Sequence, residues 1–151
     1  MPTGPLDPDT ENISTPGAAM LPWRHVALVA AGGTIGTAAR ALIAATIPDP
    51  ADYPLGIFLI NVAGAFALGL VVQFLASRGP DEGHRRLTRL AVGTGLIGGF
   101  TTYSTVTVDL AQLTVSSPMM AAAYFAGTLV VGSAASYVGI IAGARLGRGA
   151  R

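Results

Sequence analysis

Four apolar stretches, each close to the ~20 residues that cross a hydrocarbon core, leave this chain few folds to choose from. They run over residues 26–47, 55–76, 90–115 and 119–146. The first ends at the Pro- and Asp-rich loop PDPADYP, the second at the charged loop SRGPDEGHRR and the third at SSP. None shows the polar face that a helix lying against water requires. Composition agrees: charged residues make up 11% of the 151-residue chain and the mean hydropathy is +0.57, where a soluble domain carries roughly 25% charge. The expected fold class is an all-α membrane protein, with four transmembrane helices in a membrane domain over 23–151.

Residues 1–22 are rich in Pro, Asp, Ser and Thr and are expected to form a disordered tail. A secretory signal would open on basic residues; this tail carries Asp7, Asp9 and Glu11, so the stretch from Val26 reads as a retained helix. Trp23, just ahead of it, reads as an interfacial anchor. The nine basic residues are all arginine. Arg24, Arg78, Arg85, Arg86, Arg89, Arg145, Arg148 and Arg151 fall on one side of a four-span chain, and only Arg40 on the other, whose loop carries Asp49 and Asp52. Positive loops stay cytoplasmic, which predicts a cytoplasmic-membrane protein with both termini inside.

A formal charge of +1 points to no nucleic-acid partner, and the absence of cysteine excludes disulfides and thiolate metal sites. His25 and His84 lack metal-ligand spacing. The glycines lie inside apolar spans rather than in a phosphate-binding loop between strand and helix. An enzyme is not expected. Gly32 and Gly36, Gly139 and Gly143, and Gly143 and Gly147 are each four apart, a spacing that lets helices pack closely in lipid.

The third stretch is different. From Gly93 to Gly99 it holds four glycines in seven residues, and from Thr101 to Thr107 six hydroxyl residues counting Tyr103. Gly98 and Gly99 each weaken a helix by roughly 1 kcal/mol relative to alanine. A helix break at membrane depth must be buried in protein or line a polar cavity. Freed carbonyls there would suit a small cation, and the hydroxyls of Thr101, Thr102, Ser104 and Thr105 an anion. Glycine packing and threonine back-bonding would account for the same composition.

Three motifs in order narrow the choice. GGTIGTAAR (Gly32 to Arg40) lies in the first span, PLGIFLINVAGAFALGL with Asn61 in the second, and GGFTTYST (Gly98 to Thr105) in the third. Along its membrane portion the chain resembles the Fluc (CrcB) family of fluoride channels. The resemblance implies an antiparallel dimer of four-helix subunits with a break in the third helix and two narrow pores. It implies a structural Na⁺ held by backbone carbonyls, here those of Gly98 and Thr101. The ion pathway it implies runs past Asn61, Tyr103, Ser104, Thr105 and Val106. The pathway continues along a polar track on the last span, which Tyr124, Thr128 and Ser136 would supply, with Gly132 between them. Neutral donors can replace fluoride's hydration without trapping it, as conduction requires, and the positive edges of aromatic rings suit the family's two phenylalanines.

Two departures fall inside that site. Tyr103 stands at the first ring position and keeps an aromatic edge; Val106 stands at the second and keeps none. Asp109 replaces the family's glutamate. The expected function is passive fluoride export and fluoride resistance. The partner is a second four-span subunit of opposite orientation, and the one-sided arginines favour a paralogue of reversed charge bias over a homodimer. Two other readings compete: a non-conducting structural subunit of such a channel, or a small proton-coupled exporter. The latter needs a carboxylate in the first span, which has none.

Overall fold

A computed structural model of the chain describes residues 22–50 and 53–149, which form helices and the turns between them, with no strand among the described residues. The expected tail lies outside these residues except for Pro22. Three helices are long and apolar enough to cross a membrane: α1 (Trp23–Ala44), α2 (Leu55–Ala76) and α6 (Pro118–Arg148). The 22 residues of α1 and of α2 each span about 33 Å at 1.5 Å per residue, which matches a hydrocarbon core of about 30 Å. The boundaries of α2 fall where the sequence places them. α1 is displaced three residues towards the N-terminus and stops at Ala44, where Thr46 Oγ1 and the Thr46 amide both donate to Ile43 O at 2.8 and 3.0 Å. Pro48 follows and disfavours further helix.

The expected third span is not one helix. After the short α3 (Gly83–Thr88) comes a π-helical segment, Arg89–Ile97, then a single turn, α4 (Gly98–Phe100). Thr101 leaves helical geometry at φ −78° and ψ 159°, and α5 begins at Ser104 and ends at Ser116. The unanticipated α3 lies in the arginine-rich loop. Gly79 at φ 131° lies in the turn before it and Gly83 at φ 52° is its first residue, and glycine tolerates both. Arg89 pairs with Asp81 at 2.6 Å on the surface.

Glycine sets how these segments pair. A Cβ on Gly36 would strike Leu96 O, one on Gly32 would lie 2.5 Å from Ala91 O, and one on Gly99 would strike Gly33 O. These contacts advance together along α1 and the third segment, so the two run parallel. On the other side of the bundle, a Cβ on Gly139 would strike Phe66 O, on Gly143 Leu70 O and on Gly147 Ser77 Cβ; α2 and α6 are parallel too. Thr101 packs on Gly64 while Leu68 packs near Gly93, so α2 and the third segment are antiparallel. The glycine pairs singled out by their spacing are therefore close-approach points.

This arrangement gathers the start of α1, the loop around α3 and the ends of α2 and α6 at one end of the bundle. Among the described residues, seven of the eight arginines, all but Arg40, belong to these segments. Arg145 and Arg148 sit in the last turn of α6, where cations complement the helix dipole.

Candidate ion pathway

The site is built around the three residues between α4 and α5. Thr102 should donate its amide to Gly98 O if the helix continued. It donates instead to Asn61 Oδ1 at 2.9 Å, while Asn61 Nδ2 donates back to Thr102 O at 3.0 Å. Thr105 should donate to Thr101 O; its amide goes to Thr102 Oγ1 at 3.3 Å. Gly98 and Thr101, the two positions the motif marks, are thus the carbonyls whose helical donors are diverted to side chains. Gly99 O between them is served from α1, by Thr37 Oγ1 at 3.2 Å and Arg40 Nε at 3.4 Å. Arg40 is therefore engaged inside the bundle and not in the loop beyond α1. Gly98 is exposed, and a Cβ on it would meet only Gly93 O, at 3.9 Å.

Thr102 Oγ1 also gathers Ser104 Oγ at 3.1 Å and Thr105 Oγ1 at 3.2 Å into a small hydroxyl cluster. Hydroxyl protons rotate to suit their partners, so this cluster can turn a proton towards a passing anion. Beside it lies a cavity of about 270 Å³ lined by Asn61, Thr101, Thr102, Tyr103, Val106, Phe125, Thr128 and Leu129. Four expected pathway residues, Asn61, Tyr103, Val106 and Thr128, thus share one space. Tyr103 is 80% exposed, whereas Val106 is 5% exposed and packs with Leu113, Ala121 and Tyr124.

The expected polar track on the last span divides. Thr128 reaches the cavity, although its hydroxyl donates to Tyr124 O at 2.8 Å. Tyr124 is fully buried; its hydroxyl donates to Asp109 Oδ2 at 3.4 Å and its ring meets Tyr53 edge-on at 5.5 Å. Burial raises the Tyr53 phenol above its ordinary range, so it stays neutral at physiological pH. Ser136 lies about two turns beyond Thr128, at the seam where α6 meets Gly69. Asp109 lines a separate cavity of about 360 Å³ with Asp49, Pro54, Gln112, Leu113 and Ser116.

Known proteins can be set against this geometry. Residues 27–140 match the family model described as CrcB-like protein, Camphor Resistance (CrcB). This chain belongs to the CrcB family. Among CrcB relatives, "Fluoride-specific ion channel FluC 2" of Leifsonia xyli subsp. xyli is 50% identical over 125 residues, covering 82% of this chain and 86% of that one. "Fluoride-specific ion channel FluC 1" of Cutibacterium acnes is 42% identical over 128 residues, 83% of this chain and 89% of its own. "Fluoride-specific ion channel FluC" of Oceanobacillus iheyensis is 34% identical over 121 residues, 78% of this chain and 89% of its own. As a CrcB protein with three span-length helices, the chain is a multi-pass membrane protein.

Sequence reasoning missed two residues of this candidate site. Thr102 appeared only as one hydroxyl among several, although it organises the cluster. Phe125 gave no signal, because one aromatic on an apolar helix is indistinguishable from a lipid-facing residue.

Proposed function

We propose that this chain is a subunit of a fluoride-selective channel that lets fluoride leave the cytoplasm passively across the cytoplasmic membrane. The observation that carries the reading is the cavity where Asn61, Tyr103 and Thr128 meet the non-helical backbone at 101–103, in a chain whose relatives are named fluoride-specific channels. The site holds neutral donors and no fixed cation among its lining residues, as suits a small anion that must enter and leave. Asn61 orients the Thr102 peptide and keeps one amide hydrogen for the ion. The Thr102, Ser104 and Thr105 hydroxyls replace water along the path.

In the same proposal, α1, α2, the interrupted segment from Arg89 to Ser116 and α6 make four crossings, with both termini in the cytoplasm. The arginines gathered at one end of the bundle support that orientation. Two such subunits assemble antiparallel, and the arginine bias favours a partner of opposite bias. Na⁺ fits at the carbonyls of Gly98 and Thr101, because both have lost their helical donors and hard cations take oxygen ligands. Bound there, it would supply a fixed positive charge near the anion path.

The test is fluoride efflux from proteoliposomes, with this chain alone and with a co-expressed reversed-bias subunit. Fluoride should run down its gradient without ATP or a proton gradient while chloride stays behind. Equal chloride flux, or none of either ion from both preparations, overturns the reading.

A further inference from the structure

The cavity beside Asn61 has fewer free donors than its composition suggests. The Thr101 hydroxyl donates to Ile97 O at 3.1 Å and the Thr128 hydroxyl to Tyr124 O at 2.8 Å. One Asn61 amide hydrogen is held by Thr102 O. What remains for an anion is the other Asn61 hydrogen, the Tyr103 phenol and whatever proton the Thr102 cluster turns outward. An ion as strongly hydrated as fluoride would be undersupplied by these alone, since each lost water contact must be replaced. The remaining groups with positive potential are aromatic ring edges. Val106 offers none and is sealed into the core of α5 and α6. Phe125 is 48% exposed and lines the cavity from the α6 side, together with Thr128 and Leu129.

We propose that Phe125 is an anion-contacting residue of this channel, presenting its ring edge to fluoride across the cavity from Asn61 and Thr102. The inference rests on the fluoride-channel reading and deepens it. The contact comes from α6, one residue beyond the buried Tyr124, and its position follows from the helix turn. Tyr124 points into the core against Tyr53 and Asp109, so its neighbour, about 100° further round the helix, is carried out to the cavity side. Tyr103, in the non-helical stretch before α5, and Phe125, on α6, then give the pocket two aromatic groups from one subunit.

The experiment measures fluoride efflux in whichever full-length assembly conducts, for wild type, Phe125→Leu, Phe125→Met and Phe125→Tyr, alongside thermal unfolding and elution volume. Leucine and methionine keep apolar bulk and remove the ring; tyrosine keeps the edge. Phe125→Leu and Phe125→Met should cut fluoride flux at least two-fold if two pathways conduct, and towards background if one does. Melting temperature and assembly should be unchanged, and Phe125→Tyr should retain most of the flux. Leucine and methionine variants that conduct like wild type would overturn the proposal and leave the channel reading standing. A folded tyrosine variant as impaired as leucine would also overturn it. If one aliphatic variant fails to assemble, the other decides. A wild-type assembly silent to fluoride would overturn the channel reading and this inference with it.

Discussion

Asn61 on α2 and Thr102 in the third segment hold each other at both ends, the side-chain amide donating to the peptide carbonyl at 3.0 Å and accepting from the peptide N–H at 2.9 Å. A side-chain amide carries the same donor and acceptor as a peptide, so it can stand in for the helical neighbours that Thr102 lacks. The pairing relieves two polar groups that would otherwise be unsatisfied at membrane depth, where each costs several kcal/mol. It also keeps the Thr102 amide away from Gly98 O. One residue thereby fixes the shape of the non-helical segment and lines the cavity beside it.

Asn61→Asp should abolish most fluoride flux while the protein still assembles. The carboxylate can accept from the Thr102 amide but faces the Thr102 carbonyl with a second acceptor, and its charge repels an anion strongly in low dielectric. Efflux assays and elution profiles check this; near-normal flux would remove Asn61 from the pathway. Asn61→Ala should lower stability by roughly 1–3 kcal/mol, the cost of leaving a buried polar group unpaired, as read by denaturant unfolding.

Thr102→Val should loosen the proposed Na⁺ site at Gly98 and Thr101 without emptying the membrane of protein. Loss of the hydroxyl returns the Thr105 amide to Thr101 O and breaks the cluster with Ser104 and Thr105. The melting temperature of wild type should rise when Na⁺ replaces a large organic cation, by the linkage of binding to stability. In Thr102→Val that Na⁺ dependence should shrink, and in Thr102→Ser it should persist. An identical Na⁺ response in all three proteins would contradict the role given to Thr102.

Two glycines should behave oppositely. At Gly36 an added methyl would strike the Leu96 carbonyl, and no flexible side chain is there to yield. Gly36→Ala should separate α1 from the third segment and give little monodisperse protein. At Gly132 an added methyl would meet nothing within 4 Å, so Gly132→Ala should be neutral, or more stable by up to about 1 kcal/mol from helix propensity. Fluorescence-detected gel filtration of both variants decides the matter.

Expression of this gene alone in a fluoride-sensitive, exporter-deficient bacterium should give no rescue, whereas co-expression with a subunit of reversed arginine bias should restore growth. The expectation follows from the eight arginines that a four-span chain would carry on one side against Arg40, whose guanidinium is itself drawn into the bundle by Gly99 O. A few positive charges are enough to fix orientation. Full rescue by this chain alone would show that it inserts both ways and forms functional homodimers.

The sequence by itself determined the solvent of this protein, the extent of α2, the gathering of arginines at one end and the glycine positions where helices touch. Those properties are carried by local composition and by spacing along one helix, so no partner segment need be known. Spacing could also place Tyr124 and Thr128 on one face of α6, but it could not tell that the first is sealed in the core and the second reaches a cavity. That outcome depends on where α5 ends and on Tyr53 covering the face. The division of the third span was suggested by Gly98 and Gly99. Which carbonyls lose their donors was decided only by tertiary structure, because the group that diverts the Thr102 amide lies 41 residues away on α2. Phe125 is the clearest case. An aromatic residue on a membrane helix faces lipid, core or cavity according to the helices packed beside it, and no pattern within α6 distinguishes the three.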